Sequence, residues 1–306
     1  MSSSPDASGA QVVRQALEFQ RPDRLPVFDA FWPEFVQRWR VENSLPADAR
    51  IADCHPVDLA VPVAAEQLFP SRVGTVARVG EDVLRDDGWG RVIRTRLGTY
   101  FSEPVSRLFK EPGDLDRIVF EPAAAATRYA GLLAAAREAR AAGKAVFVKI
   151  GGVYIRTTFF RGQTEFLMDL AADEAFARAL AGRLADHLLA VGVESLRRAD
   201  AADFGVWIFD DMCSRQGPMF SPATFARVFL PIYSDLIARL KAAGARWVFL
   251  HCDGNLAPLL DLVVEAGFDG INPVEPGPEM NVVSLLERYR GRLRFAGGVC
   301  NSHILP

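Results

Sequence analysis

RWVFLHCDG (246–254), NLAPLLDLVVEAG (255–267) and FDGINPVEP (268–276) follow one another without a gap, and their reading decides the fold. The first and last pieces are apolar runs bounded by turn-forming residues. The middle piece repeats apolar residues at helical spacing and stops at Gly267. Strand, helix and strand in succession make a parallel βαβ unit, and strands buried on both faces lose the usual polar alternation.

Working outward, the same rhythm continues. AVFVKIGG (145–152) and FGVWIFDD (204–211) read as strands, with helical patterns over 162–199 and FSPATFARVFLPIYSDLIARLKAAG (220–244). VVSLLERYRG (282–291) is helical and LRFAGGVC (293–300) is a strand. Toward the amino terminus, QVVRQALEF (11–19) is a helix stopped by RPDR. LPVFDAFW (25–32) reads as the first core strand, EFVQRWR as a helix, and VDLAVPVA (57–64) as the second strand. An alanine-rich helix covers 123–142 and ends at Gly143. Between 70 and 110, alternation with DDG and GWG turn signals marks antiparallel hairpins inserted into the parallel repeat.

The seven expected strands lie at 25–31, 57–63, 145–150, 204–210, 246–251, 268–273 and 293–298. They predict an α/β fold, a (β/α)8 TIM-type barrel with a helical amino-terminal extension and a hairpin insertion, one βα unit short of closure. A doubly wound open sheet is the rival architecture. It carries a glycine-rich turn after its first strand, and DAFWPEF has no glycine. The expected organisation is a disordered tail over 1–10 and one barrel domain over 11–306. Without an eighth strand the first and seventh strands would expose unpaired edges. The expectation is therefore a truncated chain, or a partner subunit, for instance in a homodimer, that covers the gap.

The chain has 306 residues, half of them hydrophobic, and a net charge of −3. With a pI near 5.9 it makes no electrostatic case for nucleic acid. No apolar run nears the ~20 residues of a membrane helix. MSSSPDASGAQ lacks a basic start and an apolar stretch, so no signal peptide is expected. The four cysteines (Cys54, Cys213, Cys252, Cys300) form no CxxC pair. A cytoplasmic location with reduced thiols is the expectation.

Polar groups gather at the strand ends. The strand at 204–210 ends in Asp210 and Asp211, the next in His251, Cys252 and Asp253, and the next in Asn272 and Glu275. The last ends in Cys300, Asn301 and His303, and the first runs into Trp32 and Glu34. Parallel strands bring these ends to one mouth, where barrel enzymes keep their catalytic groups. Asp210 and Asp211 have an alternative role as helix caps. Cys252 and Cys300 are more often small buried hydrophobes than nucleophiles. His251 and Asp253, two apart, face the same way and can share a ligand. Glu275 and Cys300, from the next two strands, would complete a set for zinc: His251, Asp253, Glu275 and Cys300. Acid–base chemistry or hydrogen bonding to substrate is the alternative for the His-x-Asp pair. Phe31, Trp32 and Tyr154 are expected to line an apolar pocket, with Glu34 and Asn272 also reaching substrate.

DDMCSRQGPMFSPATFARVFLPIY (210–233) and FLHCDGNLAPLLDLVVEAGFDGINPVEP (249–276) resemble the uroporphyrinogen decarboxylase superfamily, which includes the decarboxylase of haem biosynthesis and corrinoid-dependent methyltransferases. DRLPVFDAFWPEFVQRWR and LRFAGGVC also fit, so the likeness covers nearly the whole chain. The haem-pathway enzymes carry an arginine-rich segment after the first strand for the carboxylates of the porphyrinogen. DAFWPEF stands there instead, with no arginine until Arg38. Their aspartate falls near Ala64–Ala65, their tyrosine near Phe159 and their serine in Asp211–Ser214. The methyltransferase branch holds zinc with a His-x-Cys pair and a later cysteine. The matching place is His251-Cys252-Asp253, with aspartate in the position of that cysteine, and an oxygen ligand can still hold zinc. Cys300 lies one strand too early to be the later cysteine.

The resemblance implies three functions. The first is methyl transfer between a small methylated substrate and a corrinoid protein, with His251 and Asp253 on a metal or on the substrate and Asp210, Asp211 and Glu275 as polar walls. The second is a cofactor-free lyase that decarboxylates a porphyrinogen. The third is a non-catalytic barrel that binds a tetrapyrrole or corrinoid.

Overall fold

A computed structural model describes residues 7–96, 102–277 and 279–299. The helices of the amino-terminal part are α1 (Gly9–Leu17), α2 (Pro33–Glu42) and α3 (Ile51–Cys54), followed by strand β1 (Leu59–Ala60). An antiparallel sheet comes next: β2 (Gly74–Val79), β3 (Asp82–Asp86), β4 (Arg91–Arg96) and β5 (Glu103–Arg107), paired in that order. After α4 (Asp114–Arg117) and α5 (Ala130–Ala141), β6 (Ala145–Gly151) leads into α6 (Val153–Arg161), α7 (Gln163–Ala172) and α8 (Glu174–Ala199). β7 (Gly205–Phe209) is followed by the small hairpin β8 (Cys213–Ser214) and β9 (Gly217–Pro218). Then come α9 (Pro222–Thr224) and α10 (Leu230–Ala242), β10 (Trp247–His251), α11 (Leu260–Glu265), β11 (Gly270–Asn272), α12 (Val282–Arg288) and β12 (Arg294–Phe295).

Six strands form one parallel, curled sheet in the order β1-β6-β7-β10-β11-β12. All neighbouring strands are parallel, so their carboxyl ends point to one rim, as in an incomplete TIM-like barrel. The register sets Gly151, Phe209, His251 and Asn272 side by side along that rim. One layer deeper, Phe147, Trp207 and Phe249 fill the concave face, with ring centroids 4.9–5.7 Å apart. The alternate residues Val146, Val148 and Ile150 face outward into the main core with the helices. Being buried on both faces is why these strands read as unbroken apolar runs.

Five of the six parallel strands match the expected runs at 145–150, 204–210, 246–251, 268–273 and 293–298. The expected 57–63 strand is reduced to Leu59–Ala60 plus a bridge from Val63 to Lys149. The antiparallel insertion lies where DDG and GWG placed it.

The strand expected at 25–31 does not form. The segment is extended and held beside β1 by Val27, whose N–H donates to Asp58 Oδ2 at 2.7 Å while its carbonyl accepts from Asp58 N–H at 2.8 Å. Arg24 grips the same carboxylate with two hydrogen bonds of 2.6 Å. Pro26 has no N–H for a ladder, and Leu25 and Val27 stay exposed, so only Phe28 reaches the core, 5.1 Å from Trp207. Two helix readings also change. Gly9 and Ala10 are helical, inside the stretch expected to be tail, and α6 begins at Val153, before the helical pattern read from 162.

The two edges of the curled sheet are tied together by α1. Val13 packs with Leu59, Ala145 and Phe147 at one edge, while Arg294 of β12 donates to the Leu17 carbonyl at 2.6 Å. Among the described residues no helix is long and apolar enough to cross a membrane.

Candidate metal site at the strand rim

The turn after β10 is built from its sequence, His251-Cys252-Asp253-Gly254-Asn255. Gly254 has φ +85°, and a Cβ there would stand 2.4 Å from the Ser214 carbonyl oxygen. Only glycine lets the β8–β9 hairpin come that close. Glu275 accepts from Gly254 N–H at 2.9 Å, and Asn255 N–H donates to the Ser214 carbonyl at 2.9 Å, so the turn is pinned from both sides.

Beside this turn, Asp211 from the end of β7 meets His251 and Asp253, and the three offer one ligand atom each, all within 4.8 Å of one another. His251 Nε2 lies 3.6 Å from Asp253 Oδ1 and 3.9 Å from Asp211 Oδ1. Tetrahedral zinc with bonds of ~2.0–2.1 Å sets its ligand atoms roughly 3.3 Å apart, so small side-chain movements close the set. The imidazole is already oriented. Its Nδ1 lies 2.7 Å from Asn272 Oδ1, and Asn272 Nδ2 donates to the Ala296 carbonyl at 3.0 Å. That second bond requires the amide oxygen to face the ring, so Nδ1 donates to it and Nε2 is the ring nitrogen turned toward the two aspartates. Phe209 stacks on the imidazole with centroids 4.2 Å apart. Burial pushes the Asp253 carboxyl up, Asp211 and Glu275 add to the rise, and His251 opposes it.

The structure sorts the sequence-derived candidates. His251, Asp253 and Asp211 come together, and Asn272 stands behind the histidine. Glu275, expected as a ligand, instead supports the Gly254 turn, and Asp211 takes its place in the cluster because β7 is adjacent to β10 in the sheet. Cys300 lies outside the described residues. Cys252 points away from the cluster into the core, where hydrogen bonding with Cys213 and then burial push its thiol up.

Asp210 is fully buried and serves as a cap. It accepts from the N–H groups of Tyr154 at 3.0 Å and Ile155 at 2.7 Å, and from the Tyr233 hydroxyl. Burial raises its carboxyl from 3.8 to about 6, against the pull of those donors. Tyr154, expected to line the pocket, is itself buried among Phe166, Phe220 and Phe229, and burial pushes its phenol up to about 12. Phe31 stacks on Phe35, and Trp32 and Glu34 are exposed at the start of α2, a helix with no buried residue.

Three charged residues that drew no attention in the sequence stand near the rim. Glu66 is buried, accepts from Gly151 N–H at 2.6 Å and pairs with Arg156. The Arg156 guanidinium lies over Trp89, which the insertion delivers, at 4.7 Å. Lys149 shares the concave face with Phe147, and its Nζ is 3.8 Å from the centre of the Phe209 ring. Burial pulls its ammonium down, Arg156 adds to the fall, and Glu66 and Asp211 oppose it. A lone lysine inside AVFVKIGG was a signal available beforehand, since a charge in an apolar strand needs a reason.

The family model for uroporphyrinogen decarboxylase (URO-D) matches residues 105–281. The chain belongs to the uroporphyrinogen decarboxylase family. The fold is similar to that of a methyltransferase from Methanosarcina mazei, with a TM-score of 0.55 and 14% identity over 87% of this chain and 76% of that one. No curated protein matches the chain. The place of the decarboxylases' aspartate, Ala64–Ala65, is followed here by the buried Glu66, and Phe159, near their tyrosine, has the Arg91 guanidinium 3.8 Å over its ring.

Proposed function

We propose that this member of the uroporphyrinogen decarboxylase family is a metal-dependent methyltransferase that moves a methyl group between a small methylated substrate and a corrinoid protein. The carrying observation is the Nε2 of His251 held against Asp211 and Asp253. One nitrogen and two carboxylate oxygens fit a divalent cation of the zinc type, with less thiol affinity than a cysteine-bearing set. Such an ion would act as a Lewis acid on the methyl-bearing or methyl-accepting group. The chain's own residues do the positioning. Asn272 fixes the tautomer and angle of His251, Phe209 stacks on its ring, and Glu275 holds the turn that carries Asp253. Asp210 stands behind the site, anchoring α6.

The name of the structural relative and the absence of arginine from residue 25 to Arg38 both support methyl transfer over porphyrinogen decarboxylation, since a polyanion requires cationic partners. Elemental analysis of the protein purified with zinc should give one equivalent, lost in His251→Ala. A metal-free wild type, or carbon dioxide release from a porphyrinogen by His251→Ala at the wild-type rate, would refute the reading.

A further inference from the structure

Among the described residues, the inner face of the sheet near the rim carries one cation without an ion pair. Arg91 pairs with Asp87 at 2.7 Å, Arg107 with Glu165 at 4.0 Å, and Arg156 with Glu66. Lys149, which stands among them, makes no ion pair with any described residue. Glu66 faces it but is committed to Arg156 and to Gly151 N–H. Asp211 also acts on it, yet Asp211 belongs to the metal cluster. A divalent cation there would be held by Asp211 and Asp253, so neither carboxylate would be free to pair with the ammonium. Half-buried charges are ordinarily paired, and an aromatic face offers only part of what a carboxylate does.

The orientation is fixed by the backbone. Strand alternation puts Lys149 on the inner face, and the register sets β7 between β6 and β10. Phe209 therefore contacts both groups, with Lys149 Nζ 3.8 Å from its centroid and the His251 ring 4.2 Å away. Ammonium and imidazole flank one aromatic ring at the same strand rim.

We propose that Lys149 binds an anionic group of the substrate, so that the methyl-transfer substrate is a small methylated carboxylic acid held by its carboxylate at Lys149 and by its reacting end at the metal. The proposal rests on the methyltransferase reading for the reaction, and on the unpaired ammonium of Lys149 for the substrate class. One unpaired ammonium matches a monoanion. A phosphate would call for further donors, and the neighbouring arginines are already paired.

The test uses matched acids and neutral amides as probes: acetate and acetamide, methoxyacetate and methoxyacetamide, benzoate and benzamide. Binding to the zinc-loaded protein is read by calorimetry or by ligand-observed magnetic resonance. At least one acid should bind 10-fold or more tighter than its amide. Lys149→Met should abolish that preference while keeping its zinc, and Lys149→Arg should restore much of it. Equal binding of every acid and its amide to the wild type, or an undiminished preference in folded Lys149→Met, overturns the proposal. Zinc content is measured on the same samples, so loss of metal binding, which would sink the methyltransferase reading, is told apart from loss of carboxylate selectivity.

Discussion

Asn272 makes no contact with the aspartates, yet it decides what His251 can do. With its amide oxygen on Nδ1 and its amide nitrogen on the Ala296 carbonyl, it turns Nε2 toward the cluster. Hydrogen-bond partners of ligating histidines typically contribute 10–100-fold to metal affinity. Asn272→Ala should therefore weaken zinc binding by roughly that factor, measured by competition with a chromogenic chelator, without unfolding the protein. Unchanged affinity would mean that the tautomer is set elsewhere. His251 and Asp253 were legible from the sequence because two residues apart on a strand end is a local relation. Asp211 was named as a polar or catalytic wall or a cap, not as a ligand, and its partnership with His251 depends on which strand neighbours which.

At the scale of elements, the decisive joint is between β7 and α6. Asp210 crosses from the end of one strand to the amino terminus of a helix that follows another, and caps it from outside. Gly152 makes this possible, since a Cβ there would stand 1.9 Å from Asp210 Cβ. The joint is also sensitive to pH. The folded state raises the Asp210 carboxyl from 3.8 to about 6, so folded protein binds this proton more tightly than unfolded chain. The stabilisation from that proton is complete below 3.8 and is lost as pH climbs through about 6. A shift of this size is worth on the order of 3 kcal/mol. Asp210→Asn removes the titration. Relative to that variant, the wild type should lose stability from pH 4 to pH 7 in urea unfolding, and a flat difference would show that the three donors offset burial.

The whole molecule is a curled parallel sheet whose two edges are joined by an amino-terminal helix. Val13 is 3% exposed against β1 and β6, and Arg294 of the far edge donates to the same helix. Val13→Ala should cost about 2 kcal/mol, as large-to-small changes in packed cores do. Val41→Ala, at a position 74% exposed, should change stability by less than ~0.5 kcal/mol. Both variants should retain zinc, because α1 lies at the opposite end of the strands from the rim. Equal melting curves for the two would mean that α1 does not brace the sheet.

Periodicity in the chain determined the parallel αβ alternation, the antiparallel insertion and the set of polar strand ends, because buried strands and amphipathic helices impress their own spacing on sequence. The family was carried separately, by the resemblance of the residues in the 210–276 block. Segment 25–31 misled because an apolar, β-rich run also suits an extended strap that buries a single phenylalanine. Only the tertiary structure decided that Asp210 caps a helix, that Glu275 supports a turn, and that Asp211 joins His251 and Asp253. Only it set Lys149 beside Phe209 on the inner face. Those outcomes depend on strand order and register, which arise from contacts between residues far apart in the chain, and no local pattern encodes them.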